Sequence, residues 1–238
     1  MAAETIELPD PLNAEGDGTD ADPFVGRKNK INLRDMDYVR WRNDMRHDLA
    51  IFDEMLVQLE PITPQHDSKL QLLVNDLKEK FIHPINEGNR KVLIFTAFAD
   101  TADYLYEQLA GRIKEETGMN VALITGTTDG KCTIPRFPLS FNNILTFFSP
   151  KSKDRDALFP DAKEDIDVLI ATDCISEGQN LQDCDYLINY DIHWNPVRII
   201  QRFGRIDRIG SKNDVIQLVN YWPDMELDEY IKLKGRVE

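Results

Sequence analysis

Short apolar runs alternate with amphipathic stretches along most of this 238-residue chain, and that rhythm restricts the fold more than any other feature. The runs KVLIFT (91–96), VALI (121–124), DVLIA (167–171), DYLINY (185–190) and DVIQLV (214–219) suit strands buried on both faces. Between the first two, Ala102, Leu105, Leu109 and Ile113 recur at helical spacing, and Gly118 supplies a stop. A further helix is predicted around 197–208. Strands alternating with helices at this spacing give βαβ units, hence an α/β fold with a parallel sheet covered by helices on both faces. Ligands of such sheets gather at the carboxyl ends of the strands, and here the unusual polar clusters follow strands.

Residues 1–30 read as an acidic, irregular tail rich in Asp, Glu, Pro and Gly. A helical extension follows over 31–66, with Met45, Leu49, Phe52, Leu56 and Leu59 on one face and Pro61 and Pro64 ending it. The α/β lobe is expected over 67–223. It opens on a helix with Asp67 as cap and Leu70, Leu73, Val74, Leu77 and Phe81 facing inward. Residues 131–162 show no clear period and read as an insertion. LDEYIKLKGRVE at the end reads as an amphipathic helix over 224–238 without a stop, so a fragment of a longer protein is expected.

The net charge of −14 argues against a nucleic-acid binder until it is located. Glu4, Glu7, Asp10, Glu15, Asp17, Asp20 and Asp22 give the first 23 residues −7, half the total, with no basic residue among them. The remainder is mildly acidic with clustered arginines, so tight DNA binding by this chain alone is not expected. No apolar run spans a bilayer, and the acidic start is unlike a signal peptide. A cytoplasmic protein is the expectation, nucleoid-associated in a bacterium. Cys132, Cys174 and Cys184, with scattered histidines, show no metal-ligand spacing, so no metal site is expected.

QRFGRIDRIG (201–210) is the sharpest local feature. On a continuous helix Gln201, Arg205 and Arg208 form one stripe, flanked by Arg198 and Arg202. Crowded guanidiniums repel, and a polyphosphate relieves the repulsion because arginine grips phosphate oxygens with a planar fork. Gly204 inside that helix suggests a close backbone approach. A solvated basic face is the plainer alternative. Upstream, ATDCISEGQNLQ (171–182) leaves a strand through small hydrogen-bonding residues, which suit contact with a backbone or ribose but also an ordinary polar turn. In YDIHWNP (190–196), Trp194 and Pro196 are open to a core and turn role.

In this order the blocks resemble the conserved motifs of the C-terminal, RecA-like lobe of superfamily 2 ATPases of the Swi/Snf type. KVLIFT resembles motif IV, TDCISEGQNL motif V, and DIHWNP running into QRFGRIDRIG the Swi/Snf-type sequence and motif VI. The likeness spans about 67–223, and RWRNDMRHDLAIF (40–52) looks like segments that precede this lobe in bacterial members. The resemblance implies that Arg205 and Arg208 reach the γ-phosphate of ATP, with Arg208 as the arginine finger. It places Gln201, Gly178 and Asn180 at the nucleotide and Thr96, Gly126 and Thr172 toward nucleic acid. It implies ATP and Mg²⁺ held mainly by an N-terminal RecA-like lobe of the same polypeptide, with duplex DNA as the track. Ser211 stands where many members carry glutamine.

A P-loop needs G-x-x-x-x-G-K-[ST], and the string from Gly126 through Gly130 to Cys132 has one residue too few and ends in cysteine. No acidic metal-binding box or G-x-G-x-x-G accompanies it. This chain by itself is therefore expected not to hydrolyse ATP or hold it tightly. An RNA-unwinding lobe and a non-catalytic module that docks an acidic partner are the alternatives.

Overall fold

The computed structural model describes residues 24–25, 31–32, 35–126, 130–175, 178–193 and 195–222. The acidic tail up to residue 23, Trp194 and the predicted helix over 224–238 lie outside them. Contacts divide the chain into two units, 1–62 and 63–238.

In the first unit β1 (Phe24–Val25) pairs antiparallel with β2 (Ile31–Asn32). Helix α1 (Tyr38–Leu59) begins where the carboxylate of Asp37 accepts the Arg40 amide at 3.1 Å, and Pro61 follows its end. Met45, Leu49, Phe52, Leu56 and Leu59 repeat at helical spacing, yet all five are exposed.

In the second unit α2 (Ser68–Ile82) starts at Asp67, whose side chain accepts the Leu70 amide at 2.9 Å. Leu70, Leu73, Val74, Leu77 and Phe81 are buried, as their spacing predicts. There follow β3 (Val92–Phe95), α3 (Ala99–Thr117), β4 (Val121–Ile124), β5 (Lys131–Cys132), α4 (Phe141–Phe148) and α5 (Arg155–Leu158). The unit continues through β6 (Val168–Ala171), β7 (Tyr186–Asn189), α6 (Pro196–Phe203) and β8 (Gln217–Asn220). Gly118 ends α3 in the left-handed region at φ 74°, where a side chain would be strained.

The six-stranded sheet runs β5-β4-β6-β3-β7-β8. Its pairs are parallel except β4–β5, so the expected parallel sheet gains one antiparallel edge strand. Alternate side chains serve opposite faces. Val92, Ile94, Leu123, Ile170 and Ile188 pack with α2 and α3. Leu93, Phe95, Leu169 and Leu187 pack with α4 and Ile206 on the other face. Two covered faces explain why the strands read as unbroken apolar runs.

Two expectations change. The segment 131–162, read as an insertion, contains α4, which Ser140 caps by accepting the Asn143 amide at 3.2 Å. Ile144, Leu145 and Phe148 are fully buried, so α4 is a core helix, each such side chain contributing about 1.5–3 kcal/mol of burial. The helix predicted over 197–208 stops at Phe203, with Gly204 as its C-cap rather than an interior residue. Beyond it the Arg205 and Ile206 amides bond three residues back, to Arg202 and Phe203 at 3.2 and 3.0 Å. The tightened turn breaks the single stripe expected for Gln201, Arg205 and Arg208.

Candidate ATPase-lobe site

The carboxyl ends of β3, β4 and β6 each continue into a buried threonine: Thr96, Thr125 and Thr172. Next to them, Arg202 of α6 forms a buried hub. Its Nε and Nη2 donate to Oδ1 and Oδ2 of Asp173 at 2.7 and 2.8 Å. Its Nη1 donates to Asn189 Oδ1 at 2.8 Å and to the Asp191 carbonyl at 3.1 Å, and its guanidinium lies 4.9 Å from the centre of the Phe95 ring. One side chain thus ties the ends of β3, β6 and β7 to α6. Sequence reading gave Arg202 only a flanking place. Its signal was the spacing to Ile199 on the inward side of an amphipathic helix.

Asp191 is a second junction, accepting Thr96 Oγ1 at 2.6 Å, Lys69 Nζ at 2.9 Å and the Ala97 amide at 3.2 Å. Burial pushes the carboxyls of Asp173 and Asp191 up, but their partners outweigh it and hold both below the ordinary 3.8. For Asp173 these are the hydrogen bonds and charge of Arg202, then His193 and Arg198. For Asp191 they are Thr96, Lys69 and Ala97.

The start of α6 explains the N-P of the WNP block. Asn195 caps the helix by accepting the Val197 amide at 3.0 Å, and Pro196 occupies the first turn, where a missing amide costs nothing. After Gly204 the chain runs along the loop that follows β6. The Leu181 amide donates to the Arg205 carbonyl at 2.9 Å, and Ser211 Oγ and Asn213 Nδ2 donate to the Gln182 carbonyl at 3.2 and 3.0 Å. The segments that resemble motifs V and VI therefore lie side by side, and Ser211 has a structural task there.

The predicted site residues separate by position. Arg208 is half-buried, its Nε donating to the Gly204 carbonyl at 3.2 Å and its Nη2 to the Gln179 carbonyl at 3.3 Å. Arg205 is turned inward, with 5% of its surface exposed. Gln201 is half-buried in the last turn of α6. Asn180 accepts the Gln182 amide at 3.2 Å, and Gly178 is exposed at φ 91°, a conformation that favours glycine. Gly126 is exposed beside Cys174. Thr172 is buried, its amide donating to the Ile124 carbonyl at 3.2 Å. Thr96, expected at a strand-end loop toward nucleic acid, is fully buried and its hydroxyl donates to Asp191. Ser176 and Glu177 of the motif V block lie outside the described residues.

Among the described residues no cluster of His, Cys, Asp or Glu could hold a metal. Burial pushes the Cys184 thiol up to about 12 and raises that of Cys132, as befits inert thiols. No described helix is long and apolar enough to cross a membrane.

The model of the helicase conserved C-terminal domain matches residues 69–210, more than half of the chain. The chain belongs to that family. An uncharacterized ATP-dependent helicase, YqhH of Bacillus subtilis (strain 168), is 58% identical over 50 residues, 21% of this chain and 9% of that protein. The RNA polymerase-associated protein RapA of Vibrio campbellii is 29% identical over 160 residues, 67% of this chain and 13% of that protein. The helicase C-terminal domain described here thus spans about a tenth of the length of those relatives. In fold it matches the C-terminal part of the Fun30 ATPase domain, with a TM-score of 0.51 at 17% identity, over 82% of this chain and 53% of that one. This supports the RecA-like reading of the sheet.

Proposed function

We propose that the chain is the second motor lobe of an ATP-dependent DNA translocase of the Swi/Snf type. The observation that carries this is the state of Arg208. The Arg202 charge is answered by Asp173, whereas Arg208 sits at the seam of the two motif segments with carbonyl oxygens as its hydrogen-bond partners. A guanidinium held by neutral oxygens keeps its full charge for an incoming anion.

In this reading a neighbouring N-terminal RecA-like lobe of the complete protein holds ATP and Mg²⁺, and this lobe holds neither tightly. Bound there, the metal would neutralise charge on the transferring phosphoryl group. Arg208 acts as the arginine finger, and Arg205, whose carbonyl accepts the Leu181 amide, ties the same turn to the loop after β6. Gln201, Gly178 and Asn180 shape the nucleotide side. Gly126, with its exposed backbone, and Thr172, through the strand end it anchors, serve the duplex-DNA side. The complete protein works in the cytoplasm, on the nucleoid.

The test is ATP turnover by the complete protein with no nucleic acid, with duplex DNA and with RNA. Strong stimulation by duplex DNA over RNA is expected. Turnover indifferent to all three would remove the motor reading, and preference for RNA would replace its substrate.

A further inference from the structure

A second cation converges on the same loop residue as Arg208. Lys153, in the turn between α4 and α5, donates from Nζ to Gln179 Oε1 at 2.7 Å, while Arg208 Nη2 donates to the Gln179 carbonyl at 3.3 Å. Both side chains are half-buried. Among the described residues, the partners of both are neutral oxygens, and neither is ion-paired with a carboxylate. Burial, and then the charge of Arg208, pull the Lys153 ammonium below its ordinary value of 10.5. The two charges therefore lie close enough to repel. Lys69, Lys91, Lys131 and Arg155, also partly buried, each have a carboxylate, while Lys114, like Lys153, donates to neutral oxygens but without a second cation at the same residue. Among the described residues no carboxylate pairs with either charge, and a multivalent oxyanion that accepts from both relieves their repulsion.

We infer that Lys153 and Arg208, bridged by Gln179, form a two-cation site for the terminal phosphates of a nucleoside triphosphate. This rests on the motor reading for the identity of the ligand, but the anion site itself stands on the convergence at Gln179. Lys153 supplies a compact point charge and Arg208 a planar fork, so the pair can hold separate oxygens of one phosphate chain. The residue comes from the segment with no discernible period, which is why its sequence position beside the motifs was invisible. Core packing of α4 fixes where the turn begins, and the Asp183 carboxylate, accepting the Lys151 and Ser152 amides, fixes its course. Lys153 is thus presented by a held turn rather than by a loose loop.

The experiment is calorimetric titration of the chain with inorganic tripolyphosphate at fixed ionic strength, for the wild type, Lys153→Gln, Arg208→Gln and Lys153→Arg. Either neutralising change should weaken binding by about tenfold, as expected for losing one charge-assisted contact, and Lys153→Arg should recover most of it. Thermal melting of Lys153→Gln should match the wild type, since Lys153 is half-exposed and gives up only one bond to a neutral partner. Wild-type affinity in Lys153→Gln, or a loss in that variant which Lys153→Arg fails to recover, would overturn the site. A duplex oligonucleotide is titrated in parallel. A loss for duplex without a loss for tripolyphosphate would assign Lys153 to the nucleic-acid backbone and overturn the nucleotide assignment. If both cations prove necessary for tripolyphosphate while the complete protein turns over ATP normally without Arg208, the anion site stands and the motor reading falls.

Discussion

Arg202 and Asp173 meet in a two-armed ion pair, Nε to Oδ1 at 2.7 Å and Nη2 to Oδ2 at 2.8 Å, that joins α6 to the end of β6. The two sides differ in burial: the Arg202 side chain is 1% exposed and that of Asp173 32%. Water can replace what the carboxylate loses but not what the guanidinium loses. The Arg202 guanidinium is taken up within the lobe, tying α6 to the ends of β6 and β7.

Removing either partner should therefore cost unequal amounts. Arg202→Ala deletes four hydrogen bonds and strands polar groups in the interior, so a loss of about 3–5 kcal/mol is expected. Asp173→Asn should cost about 1–2 kcal/mol, because one arm survives and solvent reaches the other side. Urea unfolding of both variants measures the difference.

The same pair gives a pH signature. The folded Asp173 carboxyl titrates below its ordinary 3.8, so its stabilisation is fully present above that value and is lost as pH falls through the lower folded one. Wild type should therefore lose stability below about pH 4 more steeply than Asp173→Asn. Thermal melts between pH 3 and pH 6 should show the two curves converging toward acid. Parallel curves would deny Asp173 its role.

A buried ion pair elsewhere makes a clean stability test. Lys80 Nζ lies 2.6 Å from Asp185 Oδ1, both side chains are fully buried, and Asn86 Nδ2 donates to the other oxygen at 2.7 Å. Lys80→Met should cost about 3–5 kcal/mol by stranding the carboxylate, and adding Asp185→Leu should restore a large part of it. A double-mutant cycle by chemical denaturation reads both.

Helix α4 is claimed as core, and Ile144 is fully buried in it. Ile144→Ala should destabilise by about 2–5 kcal/mol. A change under half a kilocalorie, the range of surface substitutions, would return the segment to the status of an appendage.

Most of the sheet was legible because buried parallel strands leave continuous apolar runs: 121–124 matched residue for residue, three others shrank at their ends, and the last, expected over 214–219, shifted to Gln217–Asn220. The inward faces of α2 and α3 were legible from spacing, and Asp67 and Gly118 from their capping chemistry. Helix α4 was not, because Ile144, Leu145, Thr146, Phe147 and Phe148 are all buried, so no polar face marked its period. The signal available was Ser140 as a cap three residues before Asn143. At the candidate site, the motif order singled out segments that the fold places side by side. Side-chain roles depended on where α6 ends, and treating Gly204 as an interior residue rather than a stop placed Arg205 and Arg208 on one stripe. Arg202, Asp173 and Lys153 gain their importance from partners 29, 29 and 26 positions away, which no local pattern displays.

The central claim is that Arg208 completes a nucleotide site whose other half lies on a neighbouring lobe. Its most direct test is ATP turnover and nucleotide affinity of the complete protein, saturated with duplex DNA, before and after Arg208→Ala. Loss of an arginine finger should lower turnover by about 10³-fold or more. Affinity for ATP should change little, since the other lobe holds most of the nucleotide. Undiminished turnover in the variant would contradict the account.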